Sequence, residues 1–285
     1  MRSFKNKNVI ITGAAGDVGK NLAKNFASSG ANLILTDINL KGMLEIKDSI
    51  QSDYDVKVRI DQIDITDEQG VKKFSEQVLK EFGNIDILIN NAGIGHYGEL
   101  AETSIQTWKK LIDVNLWGSL HHVYAFLPSM IEHGSGYIVN VSSGQAFFRM
   151  PTWGAYAVTK LALGAFSEVL RHEVKKFNIH VTTCYPYMIN TGFYDEISGE
   201  NFFQRMSMKL VPFYAMTPER VANILFKAIK KKKPIEMVSP LNYFGKAIHS
   251  VPKMWDAVSF ATEMTLGKKA DQINPEGLTE SSNKS

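Results

Sequence analysis

Asn8-Val9-Ile10-Ile11-Thr12-Gly13-Ala14-Ala15-Gly16-Asp17-Val18-Gly19 is the stretch on which the reading of this chain turns. Five residues rich in β-branched side chains run straight into a glycine-rich turn. A helical pattern follows over Val18–Ser29, with Gly30 as a plausible stop. Glycines in such a turn permit a tight bend and let backbone N–H groups approach a pyrophosphate at the helix N-terminus. Gly13, Ala15, Gly16, Asp17, Val18 and Gly19 are therefore candidate cofactor-cradle residues. A glycine pattern alone is weak, but a strand before it and a helix after it make it strong.

The same rhythm continues outward. Strands are predicted at Asn8–Thr12, Asn32–Thr36, Lys57–Asp61, Ile85–Asn90, Gly136–Val141, His180–Tyr185 and Pro234–Val238. They are mostly continuous apolar runs, as expected when helices cover both faces of a parallel sheet. Between them lie helical patterns such as Asp67–Phe82, ending at Gly83, and one opening at Thr217-Pro218-Glu219. Repeated strand–helix alternation implies right-handed βαβ units and an α/β fold, a Rossmann-type doubly wound parallel sheet of about seven strands. A single catalytic domain is expected over 1–267, with a polar, disordered tail over 268–285. The second strand ends at Asp37, where a carboxylate can bond both adenosine ribose hydroxyls and repel a 2′-phosphate; residue 38 is Ile, not a cation. That favours NAD, with NADP left open.

Composition sets limits. The 285 residues are 44% hydrophobic and 21% charged, enough for a substantial core. A formal net charge of +3 is too small to argue for nucleic acid. Cys184, the only cysteine, excludes an intrachain disulfide and reads as a buried small hydrophobe. No signal peptide or apolar run of membrane-spanning length is visible, so a cytoplasmic protein is expected. No metal site is expected.

Tyr156 and Lys160 lie four apart on a predicted helix and share one face. A free tyrosine titrates near 10, too high for a base at neutral pH. A nearby ammonium and an oxidised nicotinamide would lower that value and let Tyr156 exchange a proton with an alcohol or carbonyl. Ser143, 13 residues earlier at the end of the fifth strand, can hold the substrate oxygen.

With Tyr156-Ala157-Val158-Thr159-Lys160, Asn140-Val141-Ser142-Ser143, Asp113-Val114-Asn115, Asn90-Asn91-Ala92-Gly93 and Asp64-Ile65 in this order, the chain resembles the short-chain dehydrogenase/reductase family from about Lys5 to Val238. The resemblance implies catalytic roles for Asn115, Ser143, Tyr156 and Lys160. Asp64 and Ile65 would touch adenine, and Asn91, Ala92 and Gly93 would pass beside the cofactor. Lys160 would also grip the nicotinamide ribose, and Asn115 would hold a water linking that lysine to solvent. Pro186 and Thr191 would contact the nicotinamide end. Two positions depart from the usual pattern. Asp17 stands where the single-domain branch commonly has its second glycine, and is expected either to cap the helix or to weaken pyrophosphate binding. Tyr187 replaces the glycine usual after Pro186, and would narrow the pocket beside the nicotinamide.

Three loops at strand C-termini should line the substrate pocket. His96, Gln145, Phe147, Trp153, Tyr187 and Phe193 are the candidates there; His96 also reads as a solvated loop side chain. Such lining suits a lipophilic secondary alcohol/ketone or aldehyde resembling a steroid, retinoid or fatty alcohol. Packing against the sheet or a neighbouring subunit is the other reading of these aromatics, and a loose similarity to the hydroxysteroid and retinol dehydrogenase-like branch supports the first. A lid is expected over 187–216, anchored at Thr191. Lys230–Lys233 reads first as a solvated helix end complementing the dipole, with peripheral contact to an anionic membrane surface as the alternative. A homodimer or homotetramer is expected, with a non-catalytic dinucleotide-binding redox sensor or scaffold as the alternative function.

Overall fold

The computed structural model describes residues 4–190 and 215–249, together with Val251, Lys253, Asp256, Ala257 and Phe260. Seven strands form one parallel sheet: β1 (Asn8–Thr12), β2 (Asn32–Asp37), β3 (Val58–Gln62), β4 (Ile87–Asn90), β5 (Gly136–Val141), β6 (Ile179–Tyr185) and β7 (Ile235–Met237). Their spatial order is β3-β2-β1-β4-β5-β6-β7. The chain winds one way from β1 to β3 and the other way from β4, so a crevice opens between the C-terminal ends of β1 and β4.

Helices cover both faces, which is why the central strands β1, β4 and β5 carry no charged residues. On one face α1 (Asp17–Ala27), α2 (Leu40–Asp53) and α8 (Pro218–Lys230) bury Leu22, Phe26, Met43, Ile50 and Leu225 against Val9, Ile11, Leu33 and Leu35. On the other, α3 (Glu68–Phe82), α5 (Gly118–His133) and α7 (Gly154–Val174) bury Phe74, Val78, Phe126 and Leu170 against Ile10, Leu88 and Ile138. Consecutive strand residues thus feed opposite cores, as a period of two requires.

Three shorter elements shape the upper rim: α4 (Ile105–Ile112), α6 (Gln145–Phe148) and α9 (Pro240–His249). A five-residue π-helical stretch, Asp113–Trp117, joins α4 to α5. Thr217 caps α8 by accepting from Arg220 N at 3.2 Å, and Pro218 takes the first helical position, where its missing N–H costs nothing. Helix α1 differs from expectation. It begins at Asp17 rather than Val18 and ends at Ala27, with Gly30 two residues past the cap at φ +80°. The expected lid over 187–216 and tail over 268–285 fall mostly or wholly outside the described residues. The ends of the lid stretch are nonetheless tied: Met216 N donates to Met188 O and Asn190 N to Met216 O, both at 2.9 Å.

Candidate functional site

The crevice is a cavity of about 1010 Å³, large enough for an extended ligand. Its floor is the glycine-rich turn. Gly13 has φ +64°, and a Cβ there would lie 2.7 Å from Ala92 Cα, so only glycine lets the loop after β4 approach. At Gly19 a Cβ would run into Gly13 O. The cap residue of α1 is Gly16, and no side chain caps the helix. The first N–H groups of α1 are therefore left for an anionic ligand. Asp17, the first residue of that helix, does not cap it; its carboxylate pairs with Lys20 at 2.5 Å. The charge feared to weaken pyrophosphate binding is thus balanced within one turn.

Asn91 braces the turn from β4. Its Nδ2 donates to Thr12 O and Gly13 O, both at 3.1 Å, while Thr12 Oγ1 accepts from Asn91 N and Ala92 N at 3.0 and 3.1 Å. Asp37 closes one side: its two oxygens accept from Ala15 N at 3.0 Å and Asn39 N at 2.9 Å, which fixes the carboxylate on the cavity wall. Asp64 and Ile65 line the same end, with Gln106, Lys109 and Lys110 of α4 opposite. No local motif marks these three α4 residues; the approach of α4 to the strand ends brings them in.

At the other end stand Ser143, Tyr156, Lys160 and Pro186. Tyr156 and Lys160 are both buried on α7, with Lys160 Nζ 5.9 Å from the Tyr156 ring centroid. The lysine donates to Val141 O at 3.1 Å, and burial lowers its pKa to about 8. The Tyr156 phenol moves the opposite way from the sequence expectation. Burial pushes it up to about 12, and a hydrogen bond with Ser143 offsets only part of this. Desolvation outweighs that hydrogen bond, so without further positive charge the phenol stays protonated.

Asn115 sits inside the π-helical stretch, fully buried. Its amide donates to Ile94 O at 2.9 Å and Thr159 Oγ1 at 3.1 Å and accepts from Ile94 N at 2.9 Å. That side chain clamps the loop after Gly93 to α7. Both amide hydrogens are thus spent on protein partners.

The substrate candidates divide. Trp153 is buried edge-on between Tyr97 and Tyr156, at centroid distances of 5.6 and 5.9 Å, so it packs the catalytic candidate rather than walling an open pocket. Tyr187 stacks on Phe148 at 4.7 Å, over Gly144. Pro186, Met188 and Ile189 line the cavity in its place, Met188 with φ +49°. Phe147 packs on Tyr185 at 4.7 Å. Gln145 is buried with no hydrogen-bond partner for its Oε1. His96 is half-buried rather than solvated and is bound to Thr103 Oγ1 at 3.1 Å. Since the Thr103 hydroxyl donates to Glu99 O, His96 Nε2 must be the donor, which leaves Nδ1 as the acceptor. Thr191 and Phe193 lie outside the described residues.

The donor set of this cavity fits a dinucleotide: a glycine cradle with an uncapped helix N-terminus, an acid at the ribose position, and a buried Tyr–Lys–Ser cluster beyond. Comparison with known proteins points the same way. A family model described as short chain dehydrogenase matches residues 7–201. The chain is 32% identical over 237 residues to "Uncharacterized oxidoreductase Lmo0432" of Listeria monocytogenes, covering 82% of this chain and 95% of that protein. It is also 32% identical over 245 residues to "Probable oxidoreductase EphD" of Mycobacterium tuberculosis, covering 82% of this chain but only 41% of that relative's length. A crystal structure of a short-chain dehydrogenase/reductase from Burkholderia phymatum in complex with NAD superposes with a TM-score of 0.81 at 25% identity, covering 89% of this chain and 96% of that one.

Proposed function

The chain belongs to the short-chain dehydrogenase family, and from that premise we propose that it is an NAD(P)-dependent oxidoreductase. Its substrate would be a lipophilic secondary alcohol/ketone pair or an aldehyde, with Tyr156 as acid/base. The observation that carries this reading is that Tyr156, Ser143 and Lys160 line one continuous cavity with Gly13 and Asp37.

A bound nicotinamide would supply the hydride acceptor or donor. The chain's own groups do the rest. Ser143 and Tyr156 share a hydrogen bond, and a substrate oxygen placed between them would bond both. The phenol, protonated across the neutral range, delivers its proton to a carbonyl oxygen as that oxygen gains charge. Lys160 sits below as a buried cation, ready to stabilise negative charge at the phenol oxygen. Carbonyl reduction is thus the direction in which this site already holds the correct proton. Gln145 Oε1, buried without a partner, is suited to accept from a substrate hydroxyl.

Asp37 supports NAD over NADP, because a fixed carboxylate repels a 2′-phosphate. The outward faces of α5 and α7, with the π-helical residue beside them, expose Trp117, Tyr124, Val158, Leu161 and Val169. We read this as the face that meets a second copy. The lipophilic substrate class is tested by a panel of steroids, retinoids, fatty alcohols and small diols followed at the reduced-nicotinamide absorbance. Tight dinucleotide binding with no turnover on any of them, and equally none by Tyr156→Phe, would favour a redox sensor instead.

A further inference from the structure

Helix α9 presents an apolar face to solvent. Leu241, Tyr243 and Phe244 are 53%, 62% and 57% exposed, and beyond the helix Val251 and Phe260 are exposed as well. The helix cannot roll to hide them. Its inner side is keyed into the molecule: Asn242 is fully buried and donates to Tyr185 O at 2.6 Å, and Gly245 lies where a Cβ would meet Phe148 Cζ at 2.9 Å. Those inner contacts reach α6 and the end of β6, the rim of the candidate site.

Charge on this flank is predominantly positive. From Lys227 to Phe260 the chain carries seven lysines and two acids, Glu236 and Asp256. Glu236 is buried and already paired with Lys233 at 2.7 Å. The lysine run and the apolar face belong to the same edge of the sheet, since β7 is its last strand and Tyr243 lies close enough to Lys233 to bear on its charge.

We propose that this flank, the outer face of α9 with the Lys230–Lys233 run, docks the chain on a bilayer surface carrying anionic headgroups. Large apolar side chains beside a cluster of cations match the boundary between acyl chains and negative headgroups. A second copy fits poorly, because a two-fold contact would place each lysine cluster against its own image. Docking here sets the site rim against the bilayer, so a lipophilic substrate enters from the membrane; only this last clause rests on the substrate reading above.

The test is co-sedimentation of the full chain with vesicles. Phosphatidylcholine vesicles containing phosphatidylglycerol should carry down at least tenfold more protein than pure phosphatidylcholine, and the difference should shrink as salt rises. The double variant Leu241→Ser/Phe244→Ser should lose that binding by tenfold or more, and Lys230→Gln/Lys231→Gln should lose the preference for the anionic lipid. Both variants should keep the wild-type melting temperature and turnover of a water-soluble alcohol. Equal partition onto both lipids, or variants that bind like wild type, would overturn the proposal. So would a result in which the α9 variant changes self-association and leaves vesicle binding intact. If vesicle binding follows this pattern while no lipophilic substrate is turned over, the docking surface stands and the substrate reading falls.

Discussion

Lys160 is a buried ammonium that donates to the Val141 carbonyl, and burial lowers its pKa to about 8. The unfolded chain holds the proton up to the ordinary lysine value, so it binds more protons than the folded chain between pH 8 and 10.5. Stability therefore rises with pH through that window, and a penalty of about 3 kcal/mol persists below it. Lys160→Met should raise the melting temperature at pH 7 by roughly 3–8 °C while abolishing turnover. A variant that melts lower would show that the charge is better solvated than its surroundings suggest. For Tyr156→Phe the ring and its edge contact with Trp153 remain, and only the proton donor goes. Turnover should fall about 10²–10⁴-fold with dinucleotide affinity little changed, measured by steady-state kinetics beside a binding titration. Asp37→Ala should narrow the preference for NAD over NADP; a wild-type enzyme already faster with NADPH would remove Asp37 from cofactor choice.

At the scale of elements, helix α5 contains a histidine that the site does not use. His122 is fully buried against Phe74; its Nδ1 donates to Gly118 O at 2.9 Å, and its Nε2 lone pair has no hydrogen-bond partner. Desolvation lowers its pKa to about 4, with His121 adding to the shift and the Gly118 carbonyl opposing it. Below the unfolded value of 6.5 the unfolded chain takes up a proton that the native helix refuses, so stability falls as pH drops from 6.5 toward 4. Denaturant midpoints at pH 7 and pH 5 should differ by about 2 kcal/mol, and His122→Leu should remove most of that difference. An unchanged pH dependence in that variant would assign the acid sensitivity elsewhere. The π-helical stretch Asp113–Trp117 belongs to this scale too. The extra residue turns Asn115 inward to hold the loop at Ile94, a role that the Asp-Val-Asn triplet did not reveal.

At the scale of the molecule, the described residues leave apolar surface on the α9 flank and on the face shared by α5 and α7. On the second, Tyr124 is 64% and Val169 57% exposed. A self-complementary apolar patch of this kind stabilises a two-fold contact. Sedimentation of the wild type should give a dimer or larger, and Tyr124→Asp/Val169→Asp should weaken association at least tenfold with the melting curve still cooperative. A wild type that is monomeric at micromolar concentration would leave that face without a role. Among the described residues no helix is long and apolar enough to cross a membrane.

The sequence by itself determined the sheet, the glycine turn and the order of the Ser143, Tyr156 and Lys160 elements. These depend on local rules: alternation of strand and helix, glycine where φ must be positive or backbones must meet, and a spacing of four on one helix face. Even strand ends matched within two residues, because buried parallel strands read as uninterrupted apolar runs. Only the tertiary structure decided how the same residues behave. Burial raised Tyr156 where its neighbour alone argued for lowering, and packing set Trp153 against Tyr156 and Tyr187 against Phe148. The approach of α4 brought Lys109 and Lys110 to the cavity wall. Desolvation and packing depend on every atom around a group, and those atoms come from segments far apart in the chain.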